Sequence, residues 1–135
     1  MLTEAKLLAM TEDDYVNDEQ LAFFRHLLEE NKQELVQSIE EAKKNLSEAE
    51  HNIDLNDVAT QQEMQQLYLR TVERQGKLLR KVESAIKQTE SGDYGYCEVT
   101  GEPIGLRRLL ARPTATMSIQ AKEIQEHHEK TEGTS

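Results

Sequence analysis

Three groups of residues in this sequence are of the right type and spacing to do chemistry. The first is the stretch Tyr96–Glu123, YCEVTGEPIGLRRLLARPTATMSIQAKE. A small turn after a cysteine, a Gly-flanked hairpin and a helix start about twenty residues later form the outline of a zinc ribbon, yet Cys97 is the only cysteine in the chain. Zinc in a structural site is closed by four thiolates or imidazoles, so this outline lacks most of its ligands. The second group is Asp54 and Asp57 in HNIDLNDVATQQE, two carboxylates at i and i+3 beside a helix start. Carboxylates so placed suit a cap, a turn, contact with a basic partner, or a hard cation such as Mg²⁺. The third is cationic: Arg70, Arg74, Lys77, Arg80 and Lys81 recur at helical spacing, and Arg107, Arg108 and Arg112 follow later. Such residues either pair with neighbouring carboxylates or meet an external anion.

The composition narrows what these groups can serve. The 135 residues suffice for one compact domain or a small domain with an elongated element. With 26 acidic against 16 basic residues the net charge is −10, which repels a phosphate backbone and argues against direct nucleic-acid binding. The start of the chain, MLTEAKLLAMTEDDY, lacks the basic and apolar regions of a signal peptide, and no run of apolar residues is long enough to span a membrane. A soluble cytoplasmic protein is expected. A single cysteine forbids an internal disulfide, in keeping with a reducing compartment. Only 36% of residues are hydrophobic and 4% aromatic, which is lean for a globule and ordinary for a long helical hairpin.

The elements that must position the three groups follow from periodicity. After an amphipathic start (Leu2, Leu7, Leu8, Met10), Asn17 and Gln20 read as a capping box, with Asp18 and Glu19 at the positive end of a helix dipole. From Asp18 the apolar residues Leu28, Leu35, Ile39, Ala42, Leu46, Ala49 and Ile53 form a coiled-coil seam. No Gly or Pro interrupts residues 18–52, a helix of about 50 Å. Asn52, Asp54, Asn56 and Asp57 mark a reversal, with Asn56 or Asp57 as the next cap. A second helix carries Met64, Leu67, Leu78, Val82, Ala85 and Ile86 in looser heptads and ends at SGDYG, where Gly92 suits a left-handed cap. Residues 118–130 read as a closing helix.

With these elements in place the chain resembles the DksA family, bacterial transcription factors that insert a coiled-coil hairpin into the secondary channel of RNA polymerase. Asp54, Asp57 and Ala59 match the family's D-x-x-D-x-A tip, and GDYGYCE, GLRRLLARPTA and the Lys122 region match its base in order, over residues 17–130. The resemblance implies a mainly α fold: a long antiparallel coiled-coil hairpin projecting from a small globular base with a degenerate zinc-finger β-hairpin and a C-terminal helix. In this scheme residues 1–17 pack on the base, 18–91 form the hairpin with its tip near 52–60, and 92–135 form the zinc-finger-like region and closing helix.

It further implies that Asp54, Asp57 and Ala59 contact the polymerase, and that Leu78, Lys81, Arg112 and Lys122 bind the alarmone guanosine tetraphosphate at the polymerase interface. The protein would be a monomeric regulator that inhibits ribosomal RNA promoters, and not an enzyme. Relatives of the usual type place four cysteines where this chain has Cys97, Thr100, Ser118 and Ala121, so it looks like the zinc-independent branch of the family. No metal cofactor is expected. The base would be held instead by Val99, Ile104, Leu106, Leu109, Leu110, Met117 and Ile119, a Thr100–Ser118 hydrogen bond, and capping by Ser118. Three competing readings remain: a cryptic metal site joining Cys97 to His127 or His128, a coiled-coil adaptor whose seam pairs with another chain, and a transcript-cleavage factor whose tip acts on the active-site magnesium. Cys97 itself reads as a small buried hydrophobe, since no histidine lies near it in sequence.

Overall fold

The computed structural model describes residues 2–51 and 58–133. In chain order they form α1 (Glu4–Ala9), a short 3₁₀ turn (Glu12–Asp14), α2 (Asp18–His51), α3 (Val58–Ser91), α4 (Leu106–Ala111) and α5 (Ile119–Gly133). The long helices α2 and α3 pack together, and the only strand-like pairing among the described residues is the antiparallel bridge between Tyr96 and Pro103. The zinc-finger β-hairpin is thus present as a tight reversal with one bridge. The chain divides into two compact units: Met1–Leu28 with Ala85–Ser135, and Glu29–Ser84.

The second unit contains the coiled-coil arms. Each long helix has 34 residues, about 51 Å at 1.5 Å per residue. On α2, Leu35, Ile39, Ala42, Leu46 and Ala49 are buried or half-buried, as the heptad spacing predicts. On α3 the expected seam is wrong in part. Met64, Leu67 and Leu78 are 43%, 59% and 43% exposed. The protected positions of this arm run instead from Gln61 through Gln65, Tyr68, Val72, Gln75 and Leu79 to Val82, alternating steps of four and three. Hydropathy points to the apolar residues, but the register of α3 follows what α2 offers opposite it. At Gln75 that is a hydroxyl, and Gln75 Nε2 donates to Ser38 Oγ at 2.7 Å.

The first unit is a small core around Leu7, Phe24, Leu28 and Leu109, all 0% exposed. Burying each of these side chains contributes roughly 1.5–3 kcal/mol. Thr3 caps α1 by accepting from the Lys6 N–H, and α1 packs on α4. Asn17 caps α2 by accepting from the Gln20 N–H at 2.9 Å. The reciprocal bond of a capping box is displaced by one residue: Gln20 Oε1 accepts from the Val16 N–H at 2.7 Å, with Val16 turned to φ 48°. Gln20 is fully buried there, its Nε2 donating to Met10 Sδ.

At the far end of α3, Gly92 takes φ 88° and its N–H donates to Gln88 O, the left-handed cap expected of SGDYG. Tyr94 follows directly, buried against Phe24 with ring centroids 5.5 Å apart and donating its hydroxyl to Pro113 O at 2.8 Å. Burial, with Tyr15 beside it, pushes the Tyr94 hydroxyl well above the ordinary phenol range. Arg25 fastens the two long helices within this unit, with Nε donating to Thr89 Oγ1 and Nη2 to Thr89 O, both at 3.1 Å.

Candidate functional site

The finger-like segment is built by backbone bonds that close a loop. Cys97 N–H donates to Glu102 O, Gly101 N–H returns to Cys97 O, and Ile104 N–H donates to Gly95 O. Glu98 N–H donates to Thr116 O, tying the chain beyond α4 to the hairpin. Tyr15 stands across the hairpin's base. Its hydroxyl donates to Gly95 O at 2.5 Å and accepts from Gly105 N–H at 2.9 Å. Gly95 must be glycine, because its φ is 91° and a Cβ would lie 2.7 Å from Val16 Cγ1.

Cys97 is 3% exposed. Its thiol is pulled down to about 6, first by the Thr100 hydroxyl, then against the opposing effect of burial by the N–H groups of Ser118, Thr100 and Val99. Burial of Cys97 is as expected, and the sulfur is in addition held by donors suited to a thiolate. The expected Thr100–Ser118 bond is replaced, since Thr100 Oγ1 accepts from Glu102 N–H and Ser118 Oγ accepts from Ala121 N–H, capping α5. Ala121 is 4% exposed.

This donor set does not fit zinc. One thiolate, two hydroxyl residues and a methyl group stand at the four positions Cys97, Thr100, Ser118 and Ala121, and a structural zinc site needs four nitrogen or sulfur ligands. No group of three His, Cys, Asp or Glu side chains among the described residues could hold a metal ion. His127 and His128 are exposed on α5, whereas Cys97 is buried. Of the apolar set expected to hold the base, Ile104 and Leu109 are buried and Leu106, Leu110 and Met117 half-buried, but Val99 and Ile119 are 68% and 55% exposed. Leu7, Phe24 and Tyr94, none of them in the expected set, are buried in this unit.

The cations fall into two kinds. In the arms, Arg70, Arg74, Lys77 and Lys81 line a shallow groove of about 460 Å³ on α3 with Glu73 and Leu78. Leu78 and Lys81 are exposed. In the first unit, Arg108 is held by donating Nε to Met117 O at 2.9 Å, so it is structural. Arg107 and Arg112 are exposed, Arg112 at the C-terminal end of α4, and Lys122 is exposed in the first turn of α5. At the hairpin's tip, Ala59 is exposed in the first turn of α3, while Asp54 and Asp57 lie outside the described residues. The sequence offered no sign of the Tyr15 staple, whose partners are 80 and 90 residues away, nor of α4.

Two long paired helices followed by a finger-like hairpin that keeps one of four cysteines define a class of protein. Residues 20–89 match the model of the DksA N-terminal domain (DnaK suppressor protein DksA), and residues 92–127 match that of the prokaryotic dksA/traR C4-type zinc finger. The chain belongs to the DksA family. It is 45% identical over 132 residues to the RNA polymerase-binding transcription factor DksA of Caulobacter vibrioides, covering 96% of this chain and 93% of the relative. It is 40% identical to the protein of the same name in Escherichia coli K12, covering 87% and 79%. Among solved structures, transcription factor DksA2 from Pseudomonas aeruginosa is similar at TM-score 0.88 and 47% identity, covering 95% of this chain and 99% of that one. No helix among the described residues is long and apolar enough to cross a membrane.

Proposed function

We propose that this chain is a cytoplasmic transcription regulator that binds RNA polymerase as a monomer, enters the secondary channel with its hairpin, and modulates initiation together with guanosine tetraphosphate, without zinc. Polymerase binding is supported by the relatives, which are named RNA polymerase-binding transcription factors. The observation that carries the alarmone reading is the groove on α3: a chain of net charge −10 gathers Arg70, Arg74, Lys77 and Lys81 around an exposed Leu78. In the other unit Arg112 and Lys122 are exposed, and the family resemblance implies an alarmone contact for each of them as well. Several cations meeting one polyphosphate is sound chemistry, Arg offering paired donors and Lys a point charge.

The tip would act through Asp54, Asp57 and Ala59, contacting the polymerase and destabilising its open promoter complex. Zinc independence is supported by the donor set around Cys97, which offers a metal one sulfur. An adaptor role, with the seam paired to another chain, loses support because the α2 seam is already covered within one chain.

The test is transcription from a ribosomal RNA promoter with purified core enzyme and initiation factor, with and without alarmone. Inhibition by the parent, loss of inhibition with Asp57→Asn, and a weakened alarmone response with basal inhibition kept in Lys81→Ala are expected. Full inhibition by Asp57→Asn would remove the tip from the mechanism.

A further inference from the structure

Two adjacent residues in α3 each cost stability for no packing reason of their own. Gly76 lies inside a continuous helix, and a Cβ built on it would meet nothing within 4 Å. Neither crowding nor backbone conformation calls for glycine there, and glycine in a helix interior is destabilising relative to alanine because it loses more backbone entropy on folding. Its neighbour Gln75 sits in the seam, where Nε2 donates to Ser38 Oγ while Oε1 is buried with no hydrogen-bond partner. Whichever way round the amide lies, a single hydroxyl matches one of its ends. A leucine would remove that penalty, and seams that keep a polar residue give up stability to do so. Two avoidable weaknesses in one turn lower the cost of opening the ladder there relative to the neighbouring interior turns.

The same turn underlies the basic groove. Arg70 and Arg74 precede the pair, and Lys77, Leu78 and Lys81 follow it, so a bend there moves the two halves of the groove relative to each other. We infer that Gln75–Gly76 is a joint built into α3 that lets the groove adjust its curvature as the arm seats on RNA polymerase, whose rim shares the anion held by these cations. The inference rests on the reading that this arm docks on RNA polymerase. A stiff arm would present its cations at one fixed spacing, whereas a jointed one seats them on a partner that need not match the free helix.

Amide hydrogen exchange on the full chain tests the joint directly. The N–H groups of Leu79 and Arg80, whose helical acceptors are the carbonyls of residues 75 and 76, should exchange faster than those one turn to either side. Gly76→Ala should slow them about fivefold, and Gln75→Leu should also slow them, whereas Ser84→Ala in the same helix should leave them unchanged. Uniform exchange along residues 68–84 of the parent, or no slowing in Gly76→Ala, overturns the inference. Competition for purified core polymerase then shows whether the joint serves docking, and both stiffened variants should bind about two- to fivefold more weakly than the parent. Slowed exchange with unchanged affinity leaves the weak turn without a role and also overturns it. A parent that shows no polymerase affinity would instead sink the docking reading, with the exchange result still deciding whether the joint exists.

Discussion

The Tyr15 hydroxyl donates to the Gly95 carbonyl across 80 residues of chain and accepts from the Gly105 N–H, closing both sides of a hairpin whose relatives use a metal-finger frame. Burial raises the phenol above its ordinary value, the bonded Gly105 and Ile104 opposing that effect, so it stays protonated and able to donate at any physiological pH. Its ring also meets Tyr96 edge-on at 5.8 Å. Tyr15→Phe keeps the ring and leaves a carbonyl and an N–H without partners. A loss of about 1–3 kcal/mol in urea denaturation is expected, and a variant as stable as the parent would show that water satisfies those groups equally well.

The Cys97 thiol makes stability depend on pH. Its folded value is about 6 against an ordinary 9.0, lowered by the Thr100 hydroxyl and backbone donors. Between these values the unfolded chain binds more protons than the folded one, so stability rises with pH across this window. The contribution is complete above the higher value and lost as pH falls through the lower one. Urea midpoints of the parent should therefore climb from pH 6 to pH 9 more steeply than those of Cys97→Ala. Equal slopes would mean that the sulfur is not ionised in the folded state.

Removal of metal should change nothing. A structural zinc site contributes on the order of 10 kcal/mol of apparent folding free energy, whereas the positions of Thr100, Ser118 and Ala121 offer hydroxyls and a methyl group in place of thiolates. Thermal unfolding with and without a strong chelator should superimpose, and metal analysis of the folded protein should find less than stoichiometric zinc. A lowered midpoint in chelator would contradict the donor count.

The cations should separate into responders and supports. Lys81, Arg112 and Lys122 are exposed, so replacing each with alanine should leave the helical circular dichroism intact and weaken the alarmone response by roughly tenfold, the scale of one lost charge-assisted bond. Arg108, bonded to Met117 O, should behave oppositely. Arg108→Ala should lower stability by about 1–2 kcal/mol and leave the alarmone response in place. An unaltered response in all three exposed variants would remove the alarmone from this surface.

Repeating local signals made much of the architecture legible from the residues alone. The heptads of α2, the Asn17 cap, the Gly92 stop and the Ser118 cap each depend on contacts within a turn or two, which spacing records directly. Two departures came from contacts that no local spacing records. Met64, Leu67 and Leu78 had the hydropathy of a seam, and Gln65 and Gln75 took it, because the register of an arm is set by the arm opposite. Val99 and Ile119 looked like core and are exposed, while the buried core of the same unit draws on Leu7 and Phe24 from the other end of the chain, which hydropathy near Val99 does not record.

What the amino-acid order determined by itself was the pair of long helices, the Asn17 start and Gly92 stop, and the shortage of zinc ligands, since each is a property of a residue and its near neighbours. Tertiary structure alone decided that Tyr15 closes the hairpin, that Thr100 and the Ser118 N–H converge on the Cys97 sulfur, and that Arg108 is a support. Those outcomes depend on which distant groups meet once apolar surface is buried, and a hydrogen bond spanning 80 residues leaves no trace in the spacing of either partner.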